Sequence, residues 1–154
     1  MKNIAIATLL FTALAIPAMA QTSRIPVSIT ATADDAVGQA LIYTIKEQLN
    51  HSSVFQYSGN DTQGFNLSII TINNDLSPNN DSNNYSAAVS IVLVCKTKGE
   101  LDWYMDHWVL VVGRQKTDDM AKWVMAHLSH DVDDLQHFLS SYNQQRPAGQ
   151  ISSN

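Results

Sequence analysis

His127, His130, Asp131, Asp134 and His137 recur every three or four residues in HLSHDVDDLQH, near the end of a 154-residue chain. On a helix, that spacing sets them along one stripe. Neutral imidazoles and carboxylates at such intervals suit a divalent ion such as Zn²⁺, Cu²⁺ or Ni²⁺, with His127, His130, Asp131 and His137 as the candidate ligands. The Glu of H-E-x-x-H, which would act as a hydrolytic base, is missing. One helix face supplies only two ligands in tight geometry, so further donors must come from elsewhere, and His107 is the available one. The competing reading is a solvated helix face whose histidines suit the negative end of the helix dipole.

Asp106 and His107, with Ser90 or Cys95, are the residue types of a hydrolytic triad. No G-x-S-x-G elbow accompanies them. Cys95 has no helix N-terminus after it to lower its pKa. No G-x-x-x-x-G-K phosphate loop occurs, and Asp75 and Asp81 in the loop 74–84 do not match the calcium-loop pattern. The third constellation is aromatic: Trp103, Tyr104 and Trp108 lie within six positions of one another. These three are the candidate partner-binding residues.

The elements that position these groups follow from the pattern of the chain. Residues 1–20, MKNIAIATLLFTALAIPAMA, combine Lys2, an apolar stretch from Ile4 to Ile16, a breaking Pro17 and an Ala18-Met19-Ala20 site. This predicts a cleaved secretory signal and a periplasmic or secreted protein of a Gram-negative bacterium. The apolar run is shorter than the roughly 20 residues of a membrane span, and no second such run follows, so no span is expected after cleavage. The formal net charge is −5, and loss of Lys2 leaves −6. Nucleic acid and anionic lipid are therefore poor partners, since both reward clustered Lys and Arg. A single cysteine, Cys95, rules out a disulfide within the chain and reads as a buried thiol at a strand end.

One domain is expected over 21–142, with a disordered tail over 143–154. Ile25 to Thr30 reads as a strand, and Thr32 or Asp34 as the cap of a helix on which Val37, Leu41, Ile45 and Leu49 form one apolar stripe. Residues 54–64 read as a polar connection. Phe65–Asn73, Tyr85–Cys95 and Trp103–Gly113 read as strands, the second most clearly, by an alternation that gives way at Val92 and Val94 to an end apolar on both sides. Thr117 can cap the strongest helix, with Ala121, Val124, Leu128, Val132, Leu135 and Leu139 in a narrow arc. The order β-α-β-β-β-α predicts an α+β two-layer sandwich, a four-stranded mixed sheet with both helices on one face. The order resembles that of small α+β domains of the bacterial envelope, and no residue motif accompanies the likeness.

The other sheet face is then open, and strand 103–113 must place one of two sets of side chains on it. The odd set is Trp103, Met105, His107, Val109 and Val111; the even set is Tyr104, Asp106, Trp108, Leu110 and Val112. Both are rich in large apolar groups, which marks an interaction surface. The expected function is that of an exported accessory protein acting by protein–protein contact in the cell envelope, as part of a secretion or assembly system or by self-association. A periplasmic divalent-metal binder is the alternative, and a small hydrolase or enzyme inhibitor the third.

Overall fold

The computed structural model describes residues 24–59, 63–74, 85–97 and 102–145. The expected export signal, the loop 75–84 and residues 146–154 of the expected tail lie outside the described residues. The elements are β1 (Ile25–Ala33), α1 (Ala36–His51), β2 (Phe55–Tyr57), β3 (Gly64–Asn73), β4 (Ser86–Lys96), β5 (Trp103–Gly113) and α2 (Thr117–Gln145), with a 3₁₀ turn at Arg114–Lys116 before α2. Helix α2 runs three residues past the boundary expected at 142.

The class is α+β, with a five-stranded mixed sheet in the order β2-β1-β3-β4-β5. β1 is parallel to both of its neighbours, and β3, β4 and β5 form an antiparallel meander. The fifth strand corrects the expected four. β2 is three residues long, too short to show a period within the polar stretch 54–64. It is fixed by its neighbour: Ile25 N–H donates to the Val54 carbonyl at 2.8 Å and Ser58 N–H to the Val27 carbonyl at 2.9 Å.

Period-two alternation sends one set of strand side chains into a single core. Val27 and Ile29, Phe65, Leu67 and Ile69, Ala87, Val89, Ile91 and Leu93, and Trp108 and Val112 are all buried. Val37, Leu41, Ile45 and Leu49 of α1 and Ala121, Val124, Leu128 and Val132 of α2 close over them in the same core. Both helices therefore cover one face, as their single apolar stripes require.

The junction between β1 and α1 is built around a buried carboxylate. Asp35, not Thr32 or Asp34, is the N-cap of α1, and its Oδ1 accepts the Gly38 N–H at 2.6 Å. The cap falls here because β1 stays extended through Ala33, three residues beyond the expected end. Oδ2 accepts the Thr71 hydroxyl of β3 at 2.5 Å. A Cβ on Gly38 would lie 1.9 Å from Thr71 Oγ1. The helix touches the central strand too closely there for any side chain.

Gly→Ala within a helix ordinarily stabilises, because it restricts the unfolded chain. At Gly38 the sign is expected to reverse. Gly38→Ala should destabilise by about 1–3 kcal/mol through overpacking, and Asp35→Ala by about 1–2 kcal/mol through the lost cap. Urea-unfolding midpoints check both, and a Gly38→Ala variant as stable as the parent contradicts the close approach.

Candidate interaction surface

The register of β4 and β5 decides which aromatic side chains face outward. Ile91 pairs with Trp108 and Leu93 with Asp106, but Val94 pairs with Tyr104 and Cys95 with Trp103. One residue, Met105, is thus extra on β5, and the ladder shifts between Leu93 and Val94. The bulge exchanges the parity of the strand. Tyr104 joins His107, Val109 and Val111 on the open face, while Trp103 joins Asp106 and Trp108 on the helix side. Neither the odd nor the even set of β5 faces outward as a unit.

The open face consists of rows that cross the sheet. Ile72, Ala88 and Val111 form one row, and Ile70, Ser90 and Val109 the next. Ser68, Val92 and His107 follow, then Asn66, Val94 and Tyr104. None of these twelve positions is Asp, Glu, Lys or Arg. Lys96, paired with Gly64, lies beyond the last row. Tyr104 is 66% exposed and Val109 70%, with Val111, Ile70 and Ile72 also open to solvent.

The β1 side of the same face is polar and internally hydrogen-bonded. Asn66 Nδ2 donates to Ser28 Oγ at 2.8 Å and to Thr30 Oγ1 at 3.2 Å, and Ser28 Oγ donates to the Phe65 carbonyl at 3.3 Å. Ser28 and Asn66 are buried. The apolar patch therefore occupies the β3-β4-β5 half.

Trp108 does not belong to it. It is 7% exposed, beneath α2, with its indole edge-on to Trp123 at 5.7 Å and to His127 at 5.9 Å. Its Nε1–H donates to Asp106 Oδ2 at 2.7 Å. Of the three candidate partner-binding residues, Tyr104 alone faces out from the open side. Trp103, half exposed, lies at the start of β5 on the helix side.

The candidate metal ligands are spread out along α2. His127 stacks on Trp123 with ring centroids 3.6 Å apart. Its Nδ1 lies 2.9 Å from the Trp123 carbonyl oxygen, which can only accept, so Nδ1 carries the proton. His130 Nδ1 lies 3.3 Å from Asp134 Oδ2 and 3.9 Å from Asp131 Oδ1. His137 is about 15 Å further along the helix axis than His127, beyond reach of a shared ion. His107 is on the opposite sheet face. Among the described residues no group of three or more His, Cys, Asp or Glu side chains is placed to hold a metal ion.

The triad residues are also divided. His107 Nε2 lies 3.2 Å from Ser90 Oγ on the open face. The Asp106 carboxylate accepts the His107 backbone N–H at 2.7 Å and the Trp108 indole N–H, so it does not orient the imidazole. Burial raises the Cys95 thiol pKa and the Asp102 carboxylate adds to the rise, opposite to what a nucleophilic thiol needs. A groove between the end of α1 and α2, lined by His51, Ser52, Phe55, Met125 and Ser129 among others, has His51 as the one ionisable side chain among the described residues that line it.

Asp131 is the residue whose significance the spacing alone did not reveal. Its Oδ2 is buried without a hydrogen-bond partner. Burial raises its pKa, the Asp106 carboxylate facing it from β5 adds to this, and His130 and His127 oppose it. No protein-family model and no curated protein matches the sequence.

Two outcomes follow from this side of the sheet. The protonated form of Asp131 is favoured in the folded state, so its contribution to stability falls as pH rises from the ordinary carboxylate range through its raised folded pKa. Asp131→Asn should therefore be more stable than the parent at neutral pH, with the gain disappearing at acid pH. Thermal midpoints measured across that range check the sign. Trp108→Ala should lower stability by about 3–5 kcal/mol, as a buried aromatic does, so loss of binding in that variant reports unfolding.

Proposed function

We propose that this protein is an exported accessory component of the bacterial cell envelope that works by protein–protein contact through its open sheet face. The observation that carries the reading is the uncharged apolar patch on β3, β4 and β5, centred on Ile70, Val92, Val109 and Tyr104. Isolated apolar side chains are ordinary on a surface, but a contiguous patch across three strands marks a contact site. The signal-like residues 1–20 support the location in the envelope or outside the cell. Among the described residues no helix is long and apolar enough to cross a membrane.

The Ser90–His107 pair does not support a hydrolase, because among the described residues no carboxylate orients the imidazole. The metal reading has no observation in its favour beyond the spacing.

A photo-crosslinking amino acid at Val109, introduced into the full chain in envelope-competent cells, is expected to give a discrete adduct. The same group at the exposed Lys122 of α2 is the control. No adduct at Val109, or equal adducts at both positions, sinks the reading.

A further inference from the structure

Helix α2 is longer than the sheet it covers. Trp123 and His127 lie over Trp108, and Asp131 faces Asp106, so α2 retraces β5 toward its first residue, Trp103. The last buried position is Val132, and Leu135 is partly buried. From Gln136 to Gln145 the helix continues for about 15 Å at 1.5 Å per residue. Phe138, Leu139 and Tyr142 are exposed there, with the Phe138 and Tyr142 rings stacked 6.4 Å apart. They continue the stripe of Val124, Leu128, Val132 and Leu135, so the apolar stripe outruns the core it packs against. A helical segment this short has little stability of its own, and packing is what ordinarily holds it.

The overhang and the open sheet face match in character. Leu135 to Gln145 contains no Asp, Glu, Lys or Arg. The twelve open-face positions on β3, β4 and β5 contain none either. These two surfaces themselves set no charged side chains against one another. The dimensions agree as well. The four rows span about 20 Å along the strands, and β4 with β5 is about as wide as the ~10 Å of a helix with its side chains. The overhang points away from its own open face, past the end of the sheet where Trp103 and Tyr104 lie. A two-fold axis in the sheet plane at that end brings each overhang over the open face of the other copy.

We propose that the occupant of the open face is a second copy of this chain, each α2 overhang lying across β4 and β5 of its partner. The idea rests on the preceding reading of that face as a contact site and names what docks there. Reciprocity forms the same helix-on-sheet contact twice. An isologous dimer thereby gathers surface toward the ~800 Å² per partner of a stable interface. Phe138, Leu139 and Tyr142 seat against Val92, Val94, Tyr104 and Val109.

The test is sedimentation of the purified full chain together with exchange cross-linking. A dimer mass is expected, and Phe138→Glu and Val92→Glu should each weaken the dissociation constant about tenfold or more. Circular dichroism confirms that both variants, altered outside the core, remain folded. In a Cys95→Ala background, Tyr142→Cys and Val94→Cys chains should cross-link when mixed, and neither should cross-link alone. A monomer at all concentrations overturns the proposal, as does a dimer that Phe138→Glu leaves intact. A monomer whose Val109 photo-adduct is a different protein removes the second copy and leaves the contact face standing. A monomer with no adduct removes both.

Discussion

The fold depends on a carboxylate taken out of water at the turn from β1 into α1. Asp35 is 2% exposed and uses both oxygens, one for the helix N-terminus and one for the Thr71 hydroxyl. A buried acceptor without partners would be costly, and here each oxygen has a donor. The geometry leaves no room at Gly38, so the first turn of α1 is pressed against β3. With that end fixed, Val37, Leu41, Ile45 and Leu49 must fall on the sheet. The chain then returns through β2 beside β1, on the side away from β3. The crossover makes β1 the shared neighbour of two parallel strands and leaves β5 to be covered by α2.

Covering β5 with α2 has consequences on both sides of the sheet. On the helix side, β5 meets α2 through the aromatic group of Trp108, Trp123 and His127, with Asp106 tied to the indole N–H. The carboxyl group of Asp131 lies in the same contact with one buried oxygen unpaired. On the other side nothing in the described chain lies over Val109 and Tyr104. Both helices have one apolar stripe, so neither can serve two layers. The unfilled face follows from the same patterning that makes the core.

Much of this was legible in the residues, where a period repeats enough times to be read. The buried set of β4, Ala87, Val89, Ile91 and Leu93, alternates without a break, and the stripe of α2 from Ala121 to Val132 keeps its arc. The signals failed where they are local or short. β2 has three residues and exists because β1 offers it an edge. The cap of α1 had several suitable neighbours, and the tertiary partner Thr71, thirty-six positions away, distinguishes Asp35 among them. The site was less legible still. Parity along β5 assigns Tyr104 and Trp108 to one face, but the bulge at Met105 separates them. No spacing rule within β5 announces that bulge, because it is defined by a mismatch with β4.

The His/Asp stripe of α2 shows why helical spacing overstates a metal site. Positions three and four apart share a face, but the face has width and its parts meet different neighbours. His127 is drawn over Trp123 and its Nδ1 proton is committed to a backbone carbonyl. His130 turns toward Asp134 in solvent, and Asp131 toward the sheet. His137 already lies on the overhang, where Phe138 and Tyr142 define the surface. Ligation requires donors that converge on a point, whereas a helix arranges them along a line. Convergence must therefore come from a second element, and β5 presents Asp106 there with its oxygens already engaged by Trp108 and the backbone of His107. What this region of the sequence encodes is a pair of packed layers with apolar surface left over, on the outer face of the sheet and along the end of the helix.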